Sequence, residues 1–166
     1  MPHRAFIGVG SNLGDRTGNI NEAIDKLLEL PDTRIVRLSS FYESEPHGDA
    51  KTWFVNAAIE LETEFKSTDF LKKLKAIEEA MGRKRVKGKK WGSRIIDLDI
   101  LFFDQEIANG RNLKLPHPRI AERRFVLLPL AEIAPQHNHP VLGQTISQIL
   151  ASTQDTKRVT LLPPNA

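Results

Sequence analysis

No cysteine occurs among the 166 residues, which removes thiol nucleophiles, disulfides and thiolate metal sites and leaves the redox compartment open. Nor does any apolar run approach the ~20 residues that a membrane-spanning helix needs. The N-terminus, Met1-Pro2-His3-Arg4-Ala5-Phe6-Ile7, enters an apolar strand almost at once and shows no signal-peptide pattern, so a cytoplasmic location is the default expectation. Internal repeats, linkers and low-complexity segments are missing. So is a Walker-type Gly-rich loop ending in Lys and Ser/Thr. What is present is an ordinary folded composition, 40% hydrophobic and 27% charged. The length suits one domain, residues 1–166, with a core that needs no staples.

Net charge is only +3, but it is unevenly spread: six of the eight residues from Arg83 to Lys90 are basic. Such a run is usually a solvated loop and sometimes a nucleic-acid patch. Here it ends shortly before Arg94-Ile95-Ile96-Asp97-Leu98-Asp99-Ile100-Leu101-Phe102-Phe103, which reads as a strand rich in β-branched and aromatic residues. Side chains alternate across a strand, so Asp97 and Asp99 project from one face, about 6–7 Å apart along it. Two like charges there repel and call for a cation. Mg²⁺ suits them, since it takes a few carboxylates, keeps waters and shares substrate phosphates. The plain alternative is an exposed edge strand with an acidic face. Against it, Ile96, Leu98, Ile100 and Phe102 are expected on the opposite face, with Leu101 and Phe103 continuing the Asp face as apolar. Together the two segments suggest a basic loop closing over a polyanion whose metal sits on the aspartates.

The rest of the chain supplies the frame. Ala5–Gly10 reads as a strand, 17–30 as a helix, and 34–42 as a second strand followed by a loop over 43–51. A strand over 53–62 alternates between Trp53, Val55, Ala57, Ile59 and Leu61 on one face and Phe54, Asn56, Ala58, Glu60 and Glu62 on the other. A helix over 67–81 carries Phe70, Leu74, Ile77 and Met81 as its stripe, and the Asp strand follows. The order strand–helix–strand–strand–helix–strand predicts an α+β fold, a ferredoxin-like split βαβ sandwich. Added to it is a C-terminal helical and strand part: a loop at Leu115-Pro116-His117-Pro118, helical pieces through 124–134, a helix near 145–151, and a strand over 158–162.

The segment Lys90-Trp91-Gly92-Ser93-Arg94-Ile95-Ile96-Asp97-Leu98-Asp99-Ile100-Leu101 resembles the signature of the 6-hydroxymethyl-7,8-dihydropterin pyrophosphokinase family of folate biosynthesis. Further matches follow in order along nearly the whole chain. They include Gly8-Val9-Gly10-Ser11-Asn12-Leu13-Gly14, Phe54-Val55-Asn56-Ala57-Ala58, Gly82-Arg83, Leu115-Pro116-His117-Pro118-Arg119 and Arg123-Arg124-Phe125-Val126-Leu127. The resemblance implies the ferredoxin-like fold, ATP as co-substrate with two Mg²⁺ ions, and transfer of intact pyrophosphate to the pterin hydroxymethyl group with release of AMP. It implies a cytoplasmic monomer whose partners are these small molecules, with neither nucleic acid nor membrane.

The same resemblance implies residue roles. Asp97 and Asp99 would bind metal, and Arg83 and Arg94 would act on the phosphates during transfer, where a guanidinium fork suits oxyanions. Glu78, Arg85, Trp91, Ile100, His117 and Arg123 would line the nucleotide side. Ser44, Glu45, Pro46, His47, Phe54, Asn56 and Phe125 would line the pterin side, with the pterin between Phe54 and Phe125 and the Asn56 amide reading ring nitrogens. Without the family, His117 reads as locking a loop and Glu78 as a helix-face charge, a solvated run is the alternative for Arg83, and Phe54 stays balanced between core packing and a stacked heterocycle.

Three departures from the family pattern stand out. The loop after Phe41-Tyr42 reads Ser44-Glu45-Pro46 rather than Thr-Pro-Pro. Phe54 stands where relatives often have Tyr, and the basic loop is Lys-rich and about one residue longer than in some relatives. His137 and His139 have metal-like spacing, yet their polar, proline-containing surroundings give them no assigned role. Two rival readings remain: a ferredoxin-like nucleic-acid binder using the basic loop, and a metal-dependent phosphodiesterase using the same aspartates.

Overall fold

The computed structural model describes residues 1–46, 51–82 and 95–164. Along the chain run β1 (His3–Ser11), α1 (Arg16–Leu28), β2 (Thr33–Leu38), β3 (Tyr42–Ser44), β4 (Phe54–Thr63), α2 (Ser67–Ala80) and β5 (Asp97–Phe103). Then come a small hairpin of β6 (Ala108–Asn109) and β7 (Lys114–Leu115), a 3-10 turn (Ile120–Glu122), α3 (Arg124–Ile133), α4 (Ile146–Ser152) and β8 (Val159–Leu161). Among the described residues the result is a mixed α/β arrangement: a six-stranded antiparallel sheet ordered β5-β1-β4-β3-β8, with β2 also paired to β4, and four α-helices. Among the described residues no helix is long and apolar enough to cross a membrane.

Period-two alternation in the long strands builds two cores. On one face Ala5, Ile7 and Val9 of β1, Val55, Ala57, Ile59 and Leu61 of β4, and Leu98 and Ile100 of β5 meet the apolar stripes of α1 (Ile20, Ala23, Leu27) and α2 (Phe70, Leu74, Ile77). On the other face Phe6, Ala58, Leu101 and Phe102 pack under Leu127 and Leu130 of α3 and Ile146 and Ile149 of α4. Each large side chain buried this way contributes about 1.5–3 kcal/mol before its ordering entropy.

Several expectations change here. The strand expected over 34–42 is two strands, because the Ser39 hydroxyl accepts the Ala58 N–H at 2.8 Å and takes the place of a ladder partner. The loop expected from residue 43 begins later, since Glu43 and Ser44 continue β3. Trp53 precedes β4 instead of opening it. The helical pieces over 124–134 are one continuous helix with Pro129 inside it. In β5 the expected faces reverse at the end: Phe6 pairs with Phe102 but Ile7 with Ile100, so Leu101 is an extra residue in the ladder. This bulge turns Phe102 to the α3 side and Phe103 to the α1–α2 side, opposite to strict alternation. β5 is an edge strand, as the plain alternative had it, with β1 as its sheet neighbour.

Candidate active site

An open cleft lies on the α3 face of the sheet, toward the end where β1 stops. Strand register explains why it is there. Gly10 of β1 pairs with Asn56 of β4 on one side and Asp97 of β5 on the other, and Gly8 pairs likewise with Ala58 and Asp99. The floor is therefore two cross-strand rows, Asn56–Gly10–Asp97 and Ala58–Gly8–Asp99. Strands sit about 4.7–4.9 Å apart, and because the two glycines carry no side chain, Asn56 Oδ1 can reach over Gly10 and the Leu101 side chain over Gly8. Farther along the same face Phe6 and Phe102 fill the space, and the cleft closes into core.

The first wall is aromatic and amide. Phe54 is 4% exposed and lines the cleft, and Phe125 of α3 lines it too. Asn56 is buried, and its Nδ2 donates to the Ser44 hydroxyl at 2.7 Å. That bond fixes the amide plane. Its Oδ1 lies 2.9 Å from where a Cβ on Gly10 would stand. Ser44 thus orients Asn56, and Gly10 leaves room for it.

The second wall is charged. Asp97 and Asp99 of β5 line the cleft together with His117 and Arg123. His117 follows the cis Leu115–Pro116 bond, and its own N–H donates to Leu101 O at 2.9 Å, which ties the loop to β5. Burial first, then the cations Arg123 and Arg119, push its pKa down to about 4. The imidazole is therefore neutral at pH 7. Its Nδ1 accepts the Arg119 N–H at 3.2 Å, which places the ring proton on Nε2 as a donor. Arg123 is drawn below the ordinary arginine value by burial and Arg119, while Asp99 and Asp97 pull it back. Its guanidinium carbon stands 5.4 Å from the Phe125 ring centroid.

Seven of the residues singled out by sequence thus share one cleft: Phe54, Asn56, Asp97, Asp99, His117, Arg123 and Phe125. Others sit elsewhere. The Ile100 side chain belongs to the core under α1 and α2. Glu78, 4% exposed, accepts the Leu98 N–H at 2.9 Å and so holds the strand between the two aspartates. The Glu45 carboxylate takes the Arg158 N–H, and Pro46 O accepts Lys157 Nζ at 3.4 Å; both reach the C-terminal segment. His47, Arg83, Arg85, Trp91 and Arg94, with the expected closing loop, lie outside the described residues. Sequence reasoning gave Gly8 and Gly10 no role. The available signal was two glycines at period two on a strand, where a side chain on the same face is missing twice.

The donor set suits a hard cation that shares its coordination with substrate. Two carboxylates flank the cleft, and among the described residues no cluster of three or more His, Asp or Glu side chains forms a protein-only metal cage.

Comparison with known proteins is unambiguous as to family. The family model described as 7,8-dihydro-6-hydroxymethylpterin-pyrophosphokinase (HPPK) matches residues 6–135. A 2-amino-4-hydroxy-6-hydroxymethyldihydropteridine pyrophosphokinase of Methylorubrum extorquens is 40% identical over 149 residues, 89% of this chain and 92% of that one. The Pseudomonas aeruginosa protein of the same name is 39% identical over 153 residues, 92% of this chain and 93% of its own. Among solved structures, Plasmodium falciparum wild-type HPPK-DHPS with pteroate superposes with a TM-score of 0.71 at 17% identity, a likeness of fold. The superposition covers 91% of this chain and 44% of that chain, so this protein spans less than half of it. On the match to the family model and the two bacterial relatives, the chain belongs to the 7,8-dihydro-6-hydroxymethylpterin-pyrophosphokinase family.

Proposed function

We propose that the cleft transfers pyrophosphate from ATP to the hydroxymethyl group of 6-hydroxymethyl-7,8-dihydropterin, a step of folate biosynthesis. The observation that carries this reading is the pairing of an aromatic and amide wall with a charged wall across a glycine floor. A flat heterocycle fits the first wall, stacked between Phe54 and Phe125 and read by Asn56. A triphosphate fits the second, with Arg123 and the His117 Nε2–H donating to its oxygens. The pterin hydroxyl oxygen forms a bond to the β-phosphorus, the bond from that phosphorus to the oxygen bridging to the α-phosphate breaks, and AMP leaves with that oxygen. The hydroxyl proton passes to solvent.

Asp97 and Asp99 are the residues that would hold two Mg²⁺ ions. A cation held by these carboxylates would supply charge neutralisation as the nucleotide departs. Arg83 and Arg94 join Arg123 in this reading as cations on the phosphates. Arg85, Trp91 and Glu78 belong to the nucleotide side, with the Ile100 backbone. The backbone of Ser44, Glu45, Pro46 and His47 belongs to the pterin edge. The strand order β5-β1-β4-β2, with α1 and α2 on one face, supports describing the frame as a ferredoxin-like split βαβ sandwich over one domain, 1–166. A reaction that consumes ATP accords with a cytoplasmic location, and the same reading takes the enzyme as a monomer.

Thermal denaturation separates this reading from its rivals. A nonhydrolysable ATP analogue should raise Tm when Mg²⁺ is present, and 6-hydroxymethyl-7,8-dihydropterin should add to that shift. A shift with RNA and none with the nucleotide and pterin would overturn it.

A further inference from the structure

Helix α3 carries Phe125 in its first turn and starts just after Arg123, yet its own sequence provides no side-chain cap. Arg123 stands at the N-cap with extended backbone and makes no capping hydrogen bond, and no acidic residue lies in the first turn. The missing cap comes from 31 residues away. One oxygen of the Asp155 carboxylate accepts the Arg124 N–H at 2.8 Å, and the other accepts the Lys157 N–H at 3.0 Å. The charge also lies at the positive end of the helix. Arg124 Nη1 donates to Lys157 O at 2.7 Å, and Thr153 Oγ1 donates to Ala121 O at 2.7 Å, so the segment is stitched along the approach to α3.

The same segment then reaches the Ser44 side of the site. From Arg158 it runs into β8, which pairs with β3 at Ser44 opposite Val159, and Glu45 and Arg158 exchange backbone and carboxylate bonds. Ser44 is the residue that orients Asn56. The stretch from Thr153 to Leu161 is therefore a strap with one end at the start of α3, beside Arg123 and Phe125, and the other at Ser44, beside Asn56.

Given the pterin and triphosphate reading above, on which this inference rests, we propose that Asp155 is a positioning residue for transfer. It touches neither substrate. By capping α3 from outside, it sets where Phe125 and Arg123 stand above the glycine floor. Small misplacements of such groups are costly in rate, up to about 100-fold for 1 Å.

The test compares Asp155→Ala and Asp155→Asn with Thr145→Ala. Thr145 caps α4 with a reciprocal bond to Gln148, away from the cleft, so its loss lowers stability alone. Asp155→Ala should raise the KM for pterin and lower kcat, each by ~5-fold or more. Asp155→Asn, which keeps an oxygen acceptor, should recover most of both. Thr145→Ala should lower Tm with kcat and KM unchanged. If Asp155→Ala does not fold, Asp155→Glu replaces it, with the same kinetic losses expected from a carboxylate moved outward by one methylene. Kinetics within twofold of wild type in the folded Ala or Glu variant, or equal losses in Thr145→Ala, would remove Asp155 from the positioning role. A wild-type protein that makes no pterin diphosphate would instead overturn the functional reading beneath it.

Discussion

Gly10 matters through the side chain it lacks. A Cβ there would stand 2.9 Å from Asn56 Oδ1 and 3.9 Å from the Phe54 ring, so Gly10→Ala must push the amide off its Ser44 bond. A displaced, buried polar group costs about 1–3 kcal/mol, which predicts roughly a 5- to 150-fold loss of pterin affinity by calorimetry. Nucleotide-analogue binding and the far-UV spectrum should not change. Pterin affinity equal to wild type would place the ligand away from this floor. On the acidic side, Asp97→Ala and Asp99→Ala should each lower kcat by about 100- to 1,000-fold, as for removal of one preorganised charge-stabilising group. Either variant keeping more than about a tenth of wild-type turnover at saturating Mg²⁺ would contradict that role. The two aspartates were legible from residue type and period alone, because a charge pair inside an apolar strand is conspicuous. The glycines were not, because the absence of a side chain gains meaning only when the register sets Asn56 and Asp97 on either side.

At the scale of elements, the site depends on how β5 and α3 are held. Glu78 on α2 accepts the N–H of Leu98, the residue between the aspartates. Glu78→Ala leaves that buried donor without its carboxylate and should cost about 1–3 kcal/mol in urea unfolding, with activity falling alongside. Unchanged stability would mean that the bond is dispensable. Across the cleft, Phe54→Ala on β4 and Phe125→Ala on α3 should each weaken pterin binding by about 1–3 kcal/mol, by analogy with bases stacked on aromatic rings, and leave the nucleotide analogue unaffected. Normal pterin binding in both variants would return the two rings to the core. Strand positions and helix stripes were readable from periodicity. The β5 bulge was not, since Leu101 and Phe102 are both apolar and nothing local marks the extra residue. The division of the second strand was hidden as well, because it depends on Ser39 meeting Ala58 19 residues later in the chain.

At the scale of the whole molecule, three buried or half-buried histidines among the described residues bear on the pH response. His117 and His137 are held down to about 4, each chiefly by burial, and burial lowers His139 too. His137 lies 4.6 Å from the ring centroids of both Phe6 and Phe102, and after burial the nearby Arg4 charge lowers it further. A depressed pKa means that the unfolded chain binds protons more readily than the folded one. Stability is therefore complete above the ordinary value of 6.5 and is lost as pH falls from there toward about 4. Urea midpoints should drop between pH 7 and pH 4.5, and His137→Gln should flatten that slope. An identical slope in the variant would assign the acid response to other groups. At this scale the sequence order of strands and helices was enough to anticipate a sheet with helices, because each segment carries its own period. How β8 returns to β3, and with it the destination of Glu45, was not legible. A three-residue strand carries no information about a partner more than a hundred residues away.

The most direct measurement follows the nucleotide products of purified protein with ATP, Mg²⁺ and 6-hydroxymethyl-7,8-dihydropterin. Attack at the β-phosphorus yields AMP in equal amount with a pterin diphosphate, and that is the expected result. ADP with a pterin monophosphate would show γ-transfer and would contradict the proposed chemistry even with the fold intact.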